Sequence, residues 1–220
     1  MIKAVLFDMD GTIVDSMGVW KYAGSTYVRS LGLVPERDLD DKIFHMNMTQ
    51  FIDYIKKTYS IDTTFDNILA DINNQMTRLY AAVGQKSGAR ELLTALKNAG
   101  FILVLATASG EDIAKPVLSR LSMWELFDFH YCNIAKSKPD IFYKIAGDIG
   151  VKADECCIVE DTLSSAKGAK SAGLKIIGVR DDITRTYQGD VKDVSDLYYM
   201  SLNNTDSIVN DIKNLCLQPV

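Results

Sequence analysis

The sequence predicts an α/β fold: a mostly parallel sheet with helices on both faces and an inserted helical segment. Between residues 88 and 179, short apolar strands alternate with helix-length segments, which is typical of parallel sheets covered by helices. Between residues 16 and 83, strand-like runs are scarce and apolar residues recur at helical spacing. A chain of 220 residues with 47% apolar composition is long enough for such a core and one insertion.

The first element, Lys3–Phe7, is a short apolar strand that ends at acidic residues. About four helices fit residues 16–83, because apolar residues such as Ile68, Ile72 and Met76 are spaced by four. The pattern then predicts, in order, helix Gly88–Asn98, strand Phe101–Ala106, helix Glu111–Leu121, a strand near Phe129–Tyr131, helix Asp140–Ile149, strand Cys156–Val159, helix Thr162–Ala172, strand Lys175–Val179, a strand near Leu197–Met200 and helix Thr205–Leu215. We therefore expect a core of residues 1–15 and 84–220, and a helical cap of residues 16–83.

Composition excludes several classes of protein. The net charge is -5 and no dense cluster of lysine and arginine occurs, so we expect no nucleic-acid partner. No apolar run approaches the ~18 residues of a membrane span, and the apolar start is too short for a signal peptide. The four cysteines lack the spacing of metal ligands. We expect a cytoplasmic monomer whose partner is a small-molecule substrate.

Polar residues follow several of the predicted strands at the point where each strand ends. Ligands of open parallel sheets bind outside the carboxyl ends of the strands, so one pocket can collect these side chains. They are Asp8 and Asp10, Thr107, the lysines Lys136 and Lys138, and the pair Glu160 and Asp161.

Asp8 and Asp10 are two positions apart, so both side chains point to one side of an extended segment. Carboxylates that close repel each other unless a cation or a proton relieves them. Gly11 lets the chain turn sharply after the carboxylates and exposes backbone N–H groups where a phosphate could rest. Ligands that are all oxygen suit a hard cation, and next to a phosphate the natural choice is Mg²⁺. The pattern predicts that one carboxylate attacks phosphorus while the other acts as general acid and then base.

Each of these residues also has a simpler interpretation. The segment after Asp10 could be a turn, because Asp-Gly is a common turn sequence. Thr107 alone could be only the end of a strand or a helix N-cap, and Ser109 is also a good N-cap for the helix that begins at Glu111. Glu160 and Asp161 could only provide negative charge at the start of the next helix. The convergence of all these side chains on one edge favours a shared site.

The same residues carry a resemblance to a known family. The segment Phe7 to Ser16 (FDMDGTIVDS) resembles the first motif of the haloacid dehalogenase superfamily. The segments Leu105 to Ser109 (LATAS) and Ile158 to Thr162 (IVEDT) resemble its second and fourth motifs. Together they are most similar to the β-phosphoglucomutase-like phosphatases. This resemblance implies a Rossmann-like core with a helical cap.

The resemblance also implies roles for individual residues. Asp8 would be the nucleophile and Asp10 the acid and base, while Thr107 and the backbone of Ala108 would hold the phosphoryl group. Mg²⁺ would be held by Asp8, the carbonyl of Asp10 and Asp161, with Glu160 as a further candidate. The resemblance covers essentially the whole chain in order, with the cap matched only by its position and helical character.

Three positions depart from the family pattern. The third motif reads Lys136-Ser-Lys138-Pro-Asp, so Lys136 is the preferred phosphate contact and Lys138 competes with it. Ser165 stands where the family tends to have glycine. Ser87 replaces a common proline and is expected to cap the helix that follows it.

The expected function is a magnesium-dependent phosphatase that hydrolyses a small phosphorylated metabolite, a sugar phosphate or similar, through an aspartyl-phosphate intermediate. The main alternative is a β-phosphoglucomutase-type sugar-phosphate mutase, which shares both aspartates. A non-catalytic phosphate-binding regulatory module is a third alternative. The presence of Asp10 disfavours a dehalogenase, since carbon–halogen cleavage needs no protonated leaving oxygen. Trp20 and Tyr22 of the cap are candidates for substrate contact or for core packing.

Overall fold

A computed structural model describes residues 1–44, 46 and 48–215 of the chain. The chain divides into two compact units. Unit 1 comprises Met1–Asp15 and Gly84–Val220, and unit 2 comprises Ser16–Val83.

The described part of unit 1 contains a sheet of six strands, all parallel. They lie in the order β3-β2-β1-β4-β5-β6, so the first strand of the chain is central, between β2 and β4. The strands are β1 (Ala4–Phe7), β2 (Ile102–Ala106), β3 (Phe129–Tyr131), β4 (Cys156–Glu160), β5 (Lys175–Val179) and β6 (Leu197–Tyr199). Because every strand runs the same way, the residues that follow β1, β2 and β4 meet at one edge.

The described residues of unit 2 form five helices, one more than the sequence pattern indicates. They are α1 (Met17–Lys21), α2 (Ala23–Ser30), α3 (Leu39–Ile43), α4 (Met48–Tyr59) and α5 (Phe65–Tyr80). Ile68, Ile72 and Met76 are buried on one face of α5, as their spacing predicts. The indole N–H of Trp20 donates to the hydroxyl of Tyr80 at 2.6 Å, so Trp20 packs inside this unit.

The predicted helices of unit 1 occur in the predicted order, and none of their ends differs by more than one residue. They are α6 (Ala89–Asn98), α7 (Glu111–Arg120), α8 (Asp140–Asp148), α9 (Leu163–Ser171), α10 (Asp182–Gln188) and α11 (Thr205–Asn214). The sequence pattern did not indicate α10. No helix in the described ranges is both long enough and apolar enough to cross a membrane.

The expectation that Ser87 caps α6 was wrong. The residue that precedes α6 is Gly88, whose φ of 83° lies in the left-handed region. A Cβ at this position would lie 2.4 Å from the carbonyl of Leu202, so only glycine fits there. The hydroxyl of Ser87 instead donates to the side-chain oxygen of Asn203 at 2.7 Å.

Both faces of the central strands are buried, which explains their continuous apolar sequences. On one face, alternate residues such as Leu6, Val104 and Ile158 pack in one cluster with residues of α8 and α9. The intervening residues Val5 and Phe7 are also fully buried. Cys156 and Cys157 are buried in β4, in keeping with their interpretation as small apolar residues, whereas Cys216 lies outside the described residues.

Candidate active site

Asp8 is the first residue after β1 and is buried. Its backbone N–H donates to the carbonyl of Val159 at 3.0 Å, which continues the pairing of β1 with β4 by one residue. The chain then turns sharply, since the N–H groups of Ile13 and Val14 both donate to the carbonyl of Met9. Gly11 has a φ of 78° in this turn, a conformation that glycine adopts without strain. Asp8 is thus held rigidly at the end of the central strand.

Lys136 lies in the same place, although it comes from the segment after β3. Its ammonium nitrogen is 2.5 Å from Asp8 Oδ1 and 2.7 Å from Glu160 Oε2, and its side chain is only 4% exposed. Lys138 is exposed. The geometry therefore favours Lys136 over Lys138 as the lysine of this site.

The segment that carries Lys136 is tied to neighbouring parts of unit 1. The N–H of Ile134 donates to the carbonyl of Thr107 at 3.1 Å, and the N–H of Asn133 donates to the carbonyl of Ser109 at 2.9 Å. On the other side, a Cβ on Gly168 of α9 would lie 2.2 Å from the carbonyl oxygen of Lys136. Helix α9 thus lies so close to the backbone of Lys136 that only glycine fits at position 168.

Three buried carboxylates meet at this edge of the sheet. Asp8, Glu160 and Asp161 each have one oxygen within 4.8 Å of the others, a spacing that suits ligands of a single metal ion. All the donors are carboxylate oxygens, which fits Mg²⁺ rather than a softer metal. Glu160 Oε1 also accepts from the backbone N–H groups of Asp161 and Thr162. Glu160 therefore also fulfils the simpler role, that of negative charge ahead of helix α9.

The carboxylate of Asp161 is held by two threonine hydroxyls. Thr12 donates to Oδ1 at 3.0 Å, and Thr184 donates to Oδ2 at 2.7 Å. Thr12 and Thr184 are both fully buried. Neither threonine is among the predicted site residues.

Asp10 contacts a second group of residues, which follows β2. The hydroxyl of Ser109 donates to Asp10 Oδ2 at 2.6 Å, and the N–H of Ser109 donates to the hydroxyl of Thr107 at 3.1 Å. Ala108 is exposed between these two buried residues. The alternative interpretation of Ser109 as the cap of α7 does not hold, because Gly110 precedes that helix and the side chain of Ser109 binds Asp10 instead.

The site has an excess of negative charge. Three carboxylates surround one ammonium group, which leaves two negative charges uncompensated when all four groups are ionised. Burial, with the nearby Glu160 carboxylate, raises the pKa of Asp8 to about 8 even though Lys136 acts to lower it. Burial, together with the nearby carboxylates of Glu160 and Asp8, raises the pKa of Asp161 well above its ordinary value. A divalent cation would relieve this excess of charge.

The charge of Lys136 is secure in this environment. Burial alone would lower its pKa, but Asp8 and Glu160 outweigh burial and raise the pKa of Lys136 above its ordinary value. A permanently charged ammonium beside Asp8 can stabilise the anionic oxygens of a bound phosphoryl group. The site thus combines a buried carboxylate beside a fixed cation with a group of carboxylates that could hold a metal ion.

The structure brings together residues that the sequence motifs predicted separately. Asp8, Lys136, Glu160 and Asp161 form one contact group, while Asp10 and Thr107 are linked through Ser109. The two groups are neighbours because Asp8 and Asp10 belong to one turn. The arrangement can bind a phosphate monoester, attack its phosphorus atom and protonate its leaving oxygen.

The chain belongs to the haloacid dehalogenase-like hydrolases, since the family model of that description matches residues 5–179. This confirms the resemblance and the class of enzyme that the motifs indicated. A phosphorylated carbohydrates phosphatase of Thermotoga maritima is 26% identical over 184 residues, which cover 81% of this chain and 85% of the relative. A β-phosphoglucomutase of Bacillus subtilis is 27% identical over 192 residues, which cover 81% of this chain and 83% of the relative.

Solved structures share the fold of this chain. The crystal structure of β-phosphoglucomutase from Clostridium difficile superimposes with a TM-score of 0.76 at 20% identity, covering 99% of this chain and all of that chain. The predicted fold class, a Rossmann-like parallel sheet flanked by helices, is confirmed.

Proposed function

We propose that this protein is a magnesium-dependent phosphatase that hydrolyses a small phosphorylated metabolite, a sugar phosphate or similar. The observation that carries the proposal is the buried group of Asp8, Glu160 and Asp161, with the ammonium of Lys136 in contact with Asp8. The phosphatase and mutase names of the similar proteins, which refer to phosphorylated carbohydrates and a phosphoglucose, support this substrate class.

In this proposal Asp8, Asp161 and Glu160 hold Mg²⁺, together with the backbone carbonyl of Asp10. When bound, the ion offsets negative charge on the phosphoryl oxygens and favours the ionised form of Asp8. The phosphoryl group is bound by Lys136, which lies beside Asp8, and by Thr107 and the backbone of Ala108, which lie near Asp10. We further propose that unit 1 is the catalytic core and unit 2 the cap. The cytoplasmic location and the monomeric state stay predictions.

The reaction has two steps at Asp8. In the first, an Asp8 oxygen attacks phosphorus, the bond from phosphorus to the ester oxygen breaks, and Asp10 gives its proton to the leaving oxygen. In the second, Asp10 takes a proton from water, the water oxygen attacks phosphorus, and the bond to Asp8 breaks. The products are an alcohol and inorganic phosphate, and both aspartates return to their starting states.

The test is turnover of a panel of phosphorylated sugars and p-nitrophenyl phosphate by the purified protein, with Mg²⁺ or with EDTA. We expect phosphate release with Mg²⁺ and none with EDTA. Asp8→Asn should abolish turnover, while Asp15→Asn, which changes an exposed carboxylate of the same segment, should not. Turnover that persists in Asp8→Asn would contradict the proposed mechanism.

The second candidate is a sugar-phosphate mutase, favoured by the β-phosphoglucomutase names among both relatives and structures. A mutase would use the same aspartates but return the phosphoryl group to a second hydroxyl of the sugar. Phosphorus NMR of β-glucose 1-phosphate incubated with the protein separates the two activities. Formation of glucose 6-phosphate without release of inorganic phosphate would show that the activity is that of a mutase and not of a phosphatase.

A further inference from the structure

Helix α10 provides a residue that contacts the proposed metal site from outside it. Thr184 is fully buried, and its hydroxyl donates to Asp161 Oδ2 at 2.7 Å. The other oxygen of Asp161 accepts from Thr12. Each oxygen of this carboxylate therefore has one hydroxyl donor, and the two donors come from different segments of unit 1. With both oxygens bound, rotation of the carboxylate is restricted.

Thr184 is itself held in place by the N-cap of α10. The carboxylate of Asp181 accepts from the backbone N–H groups of Ile183 and Thr184 at 3.0 and 2.9 Å. Asp181 is only 6% exposed. These bonds fix the first turn of α10 and, with it, the position of the Thr184 hydroxyl.

Lys86 extends this arrangement by one residue. Its ammonium nitrogen is 2.8 Å from Asp181 Oδ2, and it also donates to the carbonyl of Arg180 at 3.4 Å. The backbone N–H of Lys86 donates to the carbonyl of Ile13, close in the chain to Thr12. A continuous series of contacts thus runs from Lys86 through Asp181 and Thr184 to Asp161.

We propose that Thr184 is a positioning residue for the metal site, which acts by orienting the carboxylate of Asp161. This inference rests on the proposed function, because it requires that Asp161 is a metal ligand. Partners that hydrogen-bond to metal ligands fix the orientation of those ligands, and their removal typically weakens metal binding by about 10- to 100-fold. Asp181 and Lys86 contribute indirectly, since they fix Thr184.

A purely structural role for Thr184 is the competing interpretation, because buried hydroxyls need hydrogen-bond partners wherever they occur. Thr184→Val removes the hydroxyl and keeps the shape of the side chain, whereas Thr184→Ser keeps the hydroxyl. Thr186→Val is a matched control, since Thr186 is exposed on the same helix and its hydroxyl donates to the carbonyl of Asp182.

The experiment is isothermal titration calorimetry of the metal-free full-length variants with Mg²⁺ alone, which measures binding without turnover. Thr184→Val should bind Mg²⁺ at least about tenfold more weakly than wild type, within the range for such partners. Thr184→Ser should regain wild-type affinity to within about threefold, and Thr186→Val should match wild type. Thermal unfolding in EDTA checks that each variant is folded.

The possible failures are distinguishable. If Thr184→Val binds Mg²⁺ as wild type does while Asp161→Asn does not bind, the positioning role is wrong and the proposed function stands. If wild type itself shows neither Mg²⁺ binding nor magnesium-dependent turnover, the proposed function fails and the inference fails with it. If Thr184→Val does not fold, Lys86→Met is measured in its place. Lys86 lies at the other end of the series of contacts that runs through Asp181 and Thr184 to Asp161. Unchanged Mg²⁺ affinity in a folded Lys86→Met would overturn the inference.

Discussion

The ammonium nitrogen of Lys136 lies 2.5 Å from Asp8 Oδ1, and both side chains are almost completely buried. The same nitrogen contacts Glu160, so one lysine joins the proposed nucleophile to one of the proposed metal ligands. Lys136 comes from the segment after β3 and Asp8 from the segment after β1, so the pair joins two segments that are far apart in sequence.

Lys136→Met should lower kcat/KM for a phosphate monoester by about 10²- to 10³-fold, the range for loss of one preorganised charge-stabilising group. Lys138→Met is the matched control, since Lys138 is exposed two positions away. We expect Lys138→Met to stay within about twofold of wild type, as surface substitutions generally do. Steady-state kinetics with p-nitrophenyl phosphate measures both. Equal losses in the two variants would show that Lys136 has no special role.

Asp10→Asn should lower steady-state turnover by about 10²- to 10⁴-fold, the usual contribution of a general acid or base. Nitrophenolate leaves without protonation, so p-nitrophenyl phosphate should still transfer its phosphoryl group to Asp8. A rapid-mixing experiment should therefore show a burst of nitrophenolate close to the enzyme concentration, followed by slow turnover. A slow reaction without a burst would mean that Asp10 is needed before the phosphoryl group reaches Asp8.

Gly168→Ala should impair activity and also lower stability, because the added Cβ would overpack a buried contact with backbone atoms. The added Cβ would lie 2.2 Å from the carbonyl oxygen of Lys136 and 2.9 Å from the carbonyl carbon of Ser137. The backbone of that segment must shift, and a displacement of ~1 Å in a catalytic group can cost about 10²-fold in rate.

Gly147→Ala is the control for Gly168→Ala, since Gly147 is also helical and a Cβ there meets nothing within 4 Å. We expect Gly147→Ala to keep full activity and to gain up to about 1 kcal/mol of stability from helix propensity. Full activity in a folded Gly168→Ala would show that the position of this segment does not limit turnover.

The metal-free protein should lose stability as the pH rises from about 5 to 8. Asp8 retains its proton in the folded state up to a pKa of about 8, whereas in the unfolded chain the proton leaves near pH 4. Between these values the folded state binds more protons, so the free energy of unfolding falls with increasing pH. The slope is about 1.4 kcal/mol per pH unit for each proton retained, and the raised pKa of Asp161 acts in the same direction.

Denaturant unfolding in EDTA at several pH values measures this slope. Asp8→Asn should reduce it, and saturating Mg²⁺ should reduce it as well, because metal binding requires the deprotonated carboxylates. Lys136 adds no slope in this range, since its pKa is raised in the folded state and an ordinary lysine of the unfolded chain is also charged below pH 8. Stability that rises from pH 5 to pH 8 without metal would contradict the assignment of these shifts.

The fold could be predicted from the sequence because the central strands are buried on both faces and are therefore continuously apolar. The sequence also predicted the site residues Asp8, Glu160 and Asp161, since each of them stands where such an apolar run ends. The third motif favours Lys136 over Lys138, and the burial of Lys136 agrees with it.

Other residues of the site gave weaker signals. Thr184 lies in α10, whose sequence DITRTYQ has no apolar periodicity, and only Asp181 before it suggests the start of a helix. Ser109 looked like a helix cap because serine caps helices often. Its bond to Asp10 depends on the pairing of β1 with β2, which brings residues 99 positions apart into contact.

The central position of β1 has a consequence for synthesis of the protein. Strand β1 needs β4 as a neighbour, and the hydrogen-bonded pair Thr12 and Asp161, which accompanies this pairing, spans 149 positions. At the ribosomal rate of about 5–20 residues per second, roughly 7 to 30 s pass before that partner emerges. During this interval one edge of a strongly apolar strand is without its partner strand. The nascent chain is then most exposed to aggregation, and a chaperone that shields β1 would protect the strand that precedes the nucleophile.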